Sequence, residues 1–268
     1  MFQIILPVII VAVIGLVLGF GLSAASKIFA VPVDEKATAI RECLSGANCG
    51  ACGFTGCDGY AAALSGGETS DTAKCVPGGT EASKAIAGLL GVKAGTVVRK
   101  TAIVLCQGNS TNVGNKLDYV GTKSCKMATQ LFGGPKECSY GCLGMGDCVN
   151  VCPFNAVFIC DGVARINPDA CHACGLCVKT CPRGIIEVIP YDAQYAAVFC
   201  RNKDKGAQTR KACKQGCLAC TKCVQVCSEG AVTIKDNCAK VDPILCNGYG
   251  KCQEACPTGA INILLKLF

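Results

Sequence analysis

Tryptophan is absent from the 268 residues, histidine occurs once, and aromatic residues make up only 6%. A chain so poor in large apolar rings is not expected to build one extensive core. The Gly-x-Gly-x-x-Gly fingerprint, the phosphate-binding P-loop and any Ser/Cys–His–Asp set are missing as well. No flavin or nicotinamide site and no bond-making chemistry are therefore expected here. Charge is missing from the first 26 residues, MFQIILPVIIVAVIGLVLGFGLSAAS. Residues 4–25 are long and apolar enough for one transmembrane helix, with Pro7 near its start. The charged beginning of a cleaved secretory peptide is lacking, so the segment reads as a retained anchor. Lys27, Lys36 and Arg41 follow it, which by the positive-inside rule puts the rest of the chain on the cytoplasmic side. "GFGLSAA" offers small residues either to a neighbouring membrane helix or to lipid.

What the chain has in abundance is cysteine, 26 residues. Disulfide scaffolds and metal centres are the two classes with such density. The spacings here are tight, repeated and closed by proline, which favours iron–sulfur ligation over a disulfide framework or structural zinc. Thiolate ligands imply a reducing compartment, and each small module would be held mainly by its inorganic centre. The formal charge is +7. Five four-iron clusters of roughly two net negative charges each would bring it to about −3. The basic residues then read as local compensation, and nothing points to nucleic acid.

From Cys171 to Pro182 the run is C-x2-C-x2-C-x3-C-P, the bacterial ferredoxin spacing for [4Fe–4S] ligation. Nearer the N-terminus, "NCGACGFTGCDGYAAALSGGETSDTAKCVPGG" supplies Cys49, Cys52, Cys57 and Cys75, taken as site 1. Cys43 reads as a small buried apolar residue. Further on, Cys142, Cys148, Cys152, Cys171, Cys177 and Cys181 recur 75 residues later as Cys217, Cys223, Cys227, Cys246, Cys252 and Cys256. An apolar stretch follows each fourth cysteine, so two copies of a two-cluster ferredoxin unit are expected.

In such units the fourth cysteine of each run ligates the other cluster. Site 3 is then Cys152, Cys171, Cys174 and Cys177, and site 4 is Cys217, Cys220, Cys223 and Cys256. Two sites lack a middle ligand. Cys142, Cys148 and Cys181 have Met145 between them, and Cys227, Cys246 and Cys252 have Tyr249. Cys138 is the expected substitute in site 2 and Cys238 in site 5, with open three-iron sites as the alternative. Cys106, Cys125, Cys200 and Cys213 form a candidate sixth site. A more symmetric set (Cys125, Cys138, Cys200, Cys213) would leave Cys106 or Cys160 to serve the gap at Met145. His172 lies between two ligands and reads as a hydrogen-bonded side chain in preference to a ligand. The basic stretch 202–214 reads as a solvated connector or a face toward an acidic protein.

The expected fold is α+β: one N-terminal transmembrane helix, a small four-cysteine [4Fe–4S] domain and two tandem bacterial-ferredoxin-like 2[4Fe–4S] modules. The divisions are 1–28 for the anchor, 29–95 for the four-cysteine domain and 96–136 for a connector with Cys106 and Cys125. Residues 137–190 form the first module, and 191–268 a connector with the second.

The order of anchor, "NCGACGFTGCDGYA…CVPGG" domain and tandem ferredoxin motifs resembles the B subunit of the membrane Rnf complexes, ferredoxin:NAD+ oxidoreductases. "GGPKECSYGCLGMGDCVNVCPFNAV" is similar to the longer, cysteine-rich forms in clostridia and related anaerobes. The resemblance implies an electron-relay subunit in a cytoplasmic membrane, working with other Rnf subunits. Reduced ferredoxin would be the donor and NAD+ the distant acceptor. Electrons would leave by site 1, and Na+ or H+ would be moved by other subunits. An Rsx-like reducing subunit for a redox-sensing transcription factor, or a redox sensor, is the alternative.

Overall fold

The computed structural model describes residues 2–29 and 34–264; the side chains of residues 2–5, 7, 8, 11 and 28 are outside that description. α1 (Phe2–Ile28) is a continuous helix of 27 residues. Its Leu16, Phe20 and Leu22 side chains are exposed. Among the described residues no helix is long and apolar enough to cross a membrane. The anchor expected over 4–25 lies partly outside the side chains described.

α2 (Glu35–Glu42), α3 (Cys57–Ser65) and α4 (Gly79–Leu90) build the four-cysteine domain. Asp34 caps α2 by accepting from the backbone N–H groups of Lys36 at 3.0 Å and Ala37 at 3.2 Å, satisfying two first-turn donors. Ile40, Tyr60, Leu64 and Ile86 fill a small core that also contains Cys57 and Cys75. Tyr60 directs its hydroxyl to the Asp71 carbonyl at 2.6 Å, so the one polar atom of the ring is not stranded.

The rest of the described chain is mixed helix and short strand. β1 (Lys100–Val104) pairs antiparallel with β4 (Ile186–Pro190), Lys100 facing Pro190 and Val104 facing Ile186. Between them come α5 (Cys125–Gln130), α6 (Asp147–Asn150), the hairpin β2 (Val157–Cys160) with β3 (Val163–Ile166), and α7 (Leu176–Thr180). The second copy repeats the plan. β5 (Ala196–Val198) pairs with β8 (Ile261–Ile263) around α8 (Gly206–Ala212), α9 (Lys222–Gln225), the hairpin β6 (Val232–Lys235) with β7 (Cys238–Val241), and α10 (Lys251–Glu254). Residues 96–136, expected as a connector, thus supply the outer strand of the first copy.

Strand periodicity explains how the copies join, because alternate side chains leave opposite faces. Ala102, Val104 and Cys106 enter the first copy's core, while Ile103 and Leu105 point the other way. Ala196, Val198 and Cys200 enter the second copy's core, while Ala197 and Phe199 turn outward. The outward residues meet one another, with Ile189 and Leu264, in a shared apolar seam. Arg201 pairs with Glu187 across the same boundary.

Candidate iron–sulfur sites

Each ligand motif has the same local form. The residue two after the leading cysteine is left-handed in all four: Gly144, Ala173, Ala219 and Gly248. The chain then turns into a short helix carrying the motif's last cysteine: Cys148 in α6, Cys177 in α7, Cys223 in α9 and Cys252 in α10. A left-handed residue reverses the backbone over a few atoms and turns its N–H groups inward. The Ala173 N–H itself lies 3.4 Å from Cys171 Sγ, and strand N–H groups also reach the leading sulfurs. Ala164 N–H lies 3.4 Å from Cys142 Sγ and Ala239 N–H 3.3 Å from Cys217 Sγ. Ala102 N–H lies 3.4 Å from Cys171 Sγ and Ala196 N–H 3.4 Å from Cys246 Sγ. Such bonds favour the thiolate form and temper its charge.

Burial pushes the Cys177 thiol up to about 11, and the sulfurs of Cys171, Cys174 and Cys152 push the same way. Those are the four cysteines expected at site 3. Burial likewise pushes Cys223 up to about 11, with Cys217, Cys220 and Cys256 as its neighbours, the set expected at site 4. Four thiols gathered around two buried ones do not ionise together against mutual repulsion. A cationic iron core removes that obstacle, so these donor sets fit an iron–sulfur cluster. Every cysteine is a free thiol.

Site 1 is framed by α3. The N–H of Cys57 at its start donates to Asn48 Oδ1 at 2.9 Å. Cys43, Cys52, Cys57 and Cys75 border one core, and the Cys43 thiol donates to the Ala39 carbonyl at 3.4 Å. This domain docks on the first ferredoxin-like copy beside site 3. Lys179 Nζ donates to the Cys49 carbonyl at 3.2 Å. His172 Nδ1 lies 2.9 Å from the Pro77 carbonyl while its ring stacks on Phe154. His172 is a hydrogen-bonded bracket between two domains.

Three expected assignments, of Cys138, Cys125 and Cys238, differ from what the fold brings together. Cys125, and not Cys138, shares the cavity lined by Cys142, Cys148 and Cys181. Burial pushes Cys148 up to about 12, with Cys142, Cys125 and Cys181 the nearest sulfurs. Asp147 fastens the start of α5, accepting from Ser124 Oγ and Lys126 N–H, both at 3.0 Å. Backbone N–H groups of Met145 and Asp147 are directed at the Cys125 sulfur. Cys125 therefore stands over the place where the motif lacks its middle ligand.

Cys138 lies instead in a cavity between the two copies, with Cys106, Cys200 and Cys213 and with Cys142 on its wall. Cys106 and Cys200 follow the paired strands β1 and β5 in the same way. Leu105 N–H bonds the Ile185 carbonyl and Phe199 N–H the Ala260 carbonyl, both at 2.7 Å. Gly108 N–H approaches Cys106 Sγ at 3.3 Å and Asn202 N–H approaches Cys200 Sγ at 3.4 Å. Cys138 and Cys213 share the context K-x-C-x-x-G-C. The cavity is thus approximately two-fold, each copy giving one cysteine after a strand and one before a ligand motif. The sequence signal for this was the match of "AIVLCQGN" to "AAVFCRNK", 94 residues apart; the interval of 75 aligns Cys200 with Cys125 instead.

Cys238, expected at site 5, is directed elsewhere. Its thiol donates to the Cys200 carbonyl at 3.3 Å and lies between the Cys200 and Cys217 sulfurs. That contact holds Cys200 down to about 7 and Cys217 down to about 6. The site 5 cavity is lined by Cys227, Cys246 and Cys252, with Tyr249 at the remaining motif position. Cys160 is exposed at the end of β2.

A family model for an Fe-S cluster matches residues 44–77, and the 4Fe-4S binding domain model matches residues 164–187. The chain is 44% identical over 260 residues to the B subunit of the Na(+)-translocating ferredoxin:NAD(+) oxidoreductase complex of Acetobacterium woodii, covering 97% of this chain and 78% of that one. It is 36% identical over 266 residues to the B subunit of the proton-translocating ferredoxin:NAD(+) oxidoreductase complex of Clostridium ljungdahlii, covering 98% and 93%. The B subunit of the ion-translocating oxidoreductase complex of Methanosarcina acetivorans is 34% identical over 255 residues, covering 95% and 96%. With its cysteine sites and these full-length likenesses, the chain belongs to the B-subunit family of the Rnf ion-translocating oxidoreductase complexes.

Proposed function

We propose that this chain is the electron-relay subunit of a ferredoxin:NAD+ oxidoreductase, taking electrons from reduced ferredoxin and passing them to partner subunits of the same complex. Iron–sulfur clusters in its cysteine sites supply one-electron transfer at low potential. The chain spaces the sites and sets their surroundings. Site 2 is Cys125, Cys142, Cys148 and Cys181; site 6 is Cys106, Cys138, Cys200 and Cys213; sites 1, 3 and 4 keep the ligands their spacing suggests. Residues 96–190 and 191–264 are the two ferredoxin-like modules.

The observation that carries this reading is the contiguity of the sites. The Cys223 motif of site 4 begins at Cys217, which Cys238 links to Cys200 of site 6. Cys142 of site 2 lines the site 6 cavity, and its N–H lies 3.4 Å from Cys106 Sγ. Cys148 of site 2 and Cys177 of site 3 border the same core, and Lys179, two residues past Cys177, donates to the Cys49 carbonyl of site 1 at 3.2 Å. In this reading a line runs from site 5, whose Cys252 shares a core with Cys217 and Cys223 of site 4, through sites 4, 6, 2 and 3 to site 1, beside the end that leads back to α1. A sensor would need one or two such sites; a line of this length suits transfer over distance.

α1 is the single-pass anchor in this reading. Twenty-seven helical residues extend about 40 Å, enough for a hydrocarbon layer of about 30 Å. No charge interrupts residues 1–26. The ion pathway belongs to other subunits, because a lone uncharged helix offers no route for an ion. Iron and acid-labile sulfide on the full chain, purified in detergent without oxygen, test the relay. More than about 20 of each per chain is expected, at four iron atoms per cubane. Fewer than about 10, with zinc or disulfides instead, would overturn it. Cys125→Ser is expected to disturb site 2 and Cys138→Ser site 6, giving different losses in the reduced paramagnetic spectrum.

A further inference from the structure

Both interrupted motifs read C-x-G-[Met/Tyr]-G-x-C: "CLGMGDC" from Cys142 and "CNGYGKC" from Cys246. In the first module a long insertion between Cys106 and Cys138 carries α5 and sets Cys125 over Met145. The corresponding stretch of the second module, between Cys200 and Cys213, carries α8 and no cysteine. Cys238 is held in the buried layer beside Cys200 and Cys217. The cavity at Cys227, Cys246 and Cys252 therefore contains three thiols and no fourth. Tyr249, at the vacant motif position, is 74% exposed. Its N–H is engaged by Asn247 Oδ1 at 3.3 Å, so the local turn is closed without a ligand.

Three thiolates lining one cavity, with the fourth motif position held by an exposed side chain, are the donor set of a three-iron cluster. We propose that Cys227, Cys246 and Cys252 hold a [3Fe–4S] centre at the outer end of the line of sites. The inference rests on the iron–sulfur reading above. It makes site 5 chemically unlike its neighbours, since cluster type is a main determinant of reduction potential. The terminal site would hold an electron at higher potential than the four-thiolate sites beside it, and would buffer the relay instead of lying on its lowest-potential path.

The test is paramagnetic resonance on the full chain, purified without oxygen and examined before any reductant is added. An oxidised three-iron centre gives a near-isotropic signal, expected here at about one spin per chain beside roughly 23 iron atoms. Tyr249→Cys should abolish that signal by completing a four-iron site, and Cys238→Ser should leave it unchanged. A silent wild type with more than about 20 iron atoms per chain overturns the three-iron centre and leaves the relay standing. A silent wild type that gains the signal in Cys238→Ser identifies Cys238 as the fourth ligand and overturns it also. Iron below about 10 atoms per chain removes the relay reading as well.

Discussion

At the residue scale, two buried side chains govern the ground between the modules. Lys136 is 7% exposed, and its ammonium is held by the carbonyls of Gly108 at 3.1 Å and Gly162 at 2.7 Å. It lines the site 6 cavity and acts on the Cys106 and Cys142 sulfurs as a fixed positive charge. A unit charge about 7 Å from a reducible centre, at an effective dielectric of about 20, is worth roughly 100 mV. Lys136→Met is therefore expected to lower the midpoint potential of one cluster by that order, read by potentiometric titration of the reduced signals. Cys238 is the second case. Val163 occupies the matching place in the first module and is fully buried. Cys238→Val should fold and keep its iron, because that pocket shape already exists with valine. It should also shift the potentials of sites 4 and 6, because the thiol dipole beside the Cys217 and Cys200 sulfurs is replaced by an apolar side chain. Loss of several iron atoms per chain in this variant would instead mark the thiol as a ligand.

At the element scale, the ligand loops depend on close backbone approach. Gly144 has φ +74, and a Cβ there would collide with the Gly162 carbonyl at the tip of the β2–β3 hairpin. Gly248 has φ +75 and meets the Gln194 carbonyl in the same manner. The hairpin cannot retreat cheaply, since β3 also packs against β1. Gly144→Ala is thus expected to cost about 1–3 kcal/mol in strained backbone and to empty site 2 first. Iron analysis should then show about four fewer atoms per chain; unchanged iron would mean the hairpin yields. The motif spacing suggested the ligand sets of sites 3 and 4, and the fold gathers those thiols although Cys152 is 19 residues from Cys171 and Cys256 is 33 from Cys223. The substitute ligands were not readable by nearness along the chain. Cys138 is four residues from Cys142, yet the turn between them directs it across the module boundary. Cys125 is 17 residues away and is brought over Met145 by the cap that Asp147 gives α5.

At the scale of the whole molecule, two modules share one site and one thin seam. Ile103, Leu105, Ala197 and Phe199 are small cover for an interface between domains. With two cysteines from each side lining the cavity between the modules, a cluster bound in the proposed site 6 would act as a clasp and supply part of the docking free energy. Removing iron with a chelator under mild oxidation is expected to loosen the modules before either strand pair frays. Limited proteolysis should then cut faster in the link of residues 191–195, and the double variant Cys106→Ser with Cys138→Ser should show the same cut without chelator. An unchanged cleavage rate in both would show that the apolar seam alone holds the modules together.

The sequence by itself determined the iron–sulfur chemistry, the duplicated plan and the family, because ligand spacing within one turn is a local property and a repeated motif carries its own alignment. It also determined that β2, β4, β6 and β8 follow their ligand runs, through the apolar residues after each fourth cysteine. Tertiary structure alone decided which distant thiols meet. Cys106 and Cys200, just past β1 and β5, continue their inward-facing alternation, and Cys138 and Cys213 come beside them where the two modules meet at the seam. A thiol's partner in such a site is set by where strands pair and modules dock, and neither is encoded in the distance between cysteines along the chain.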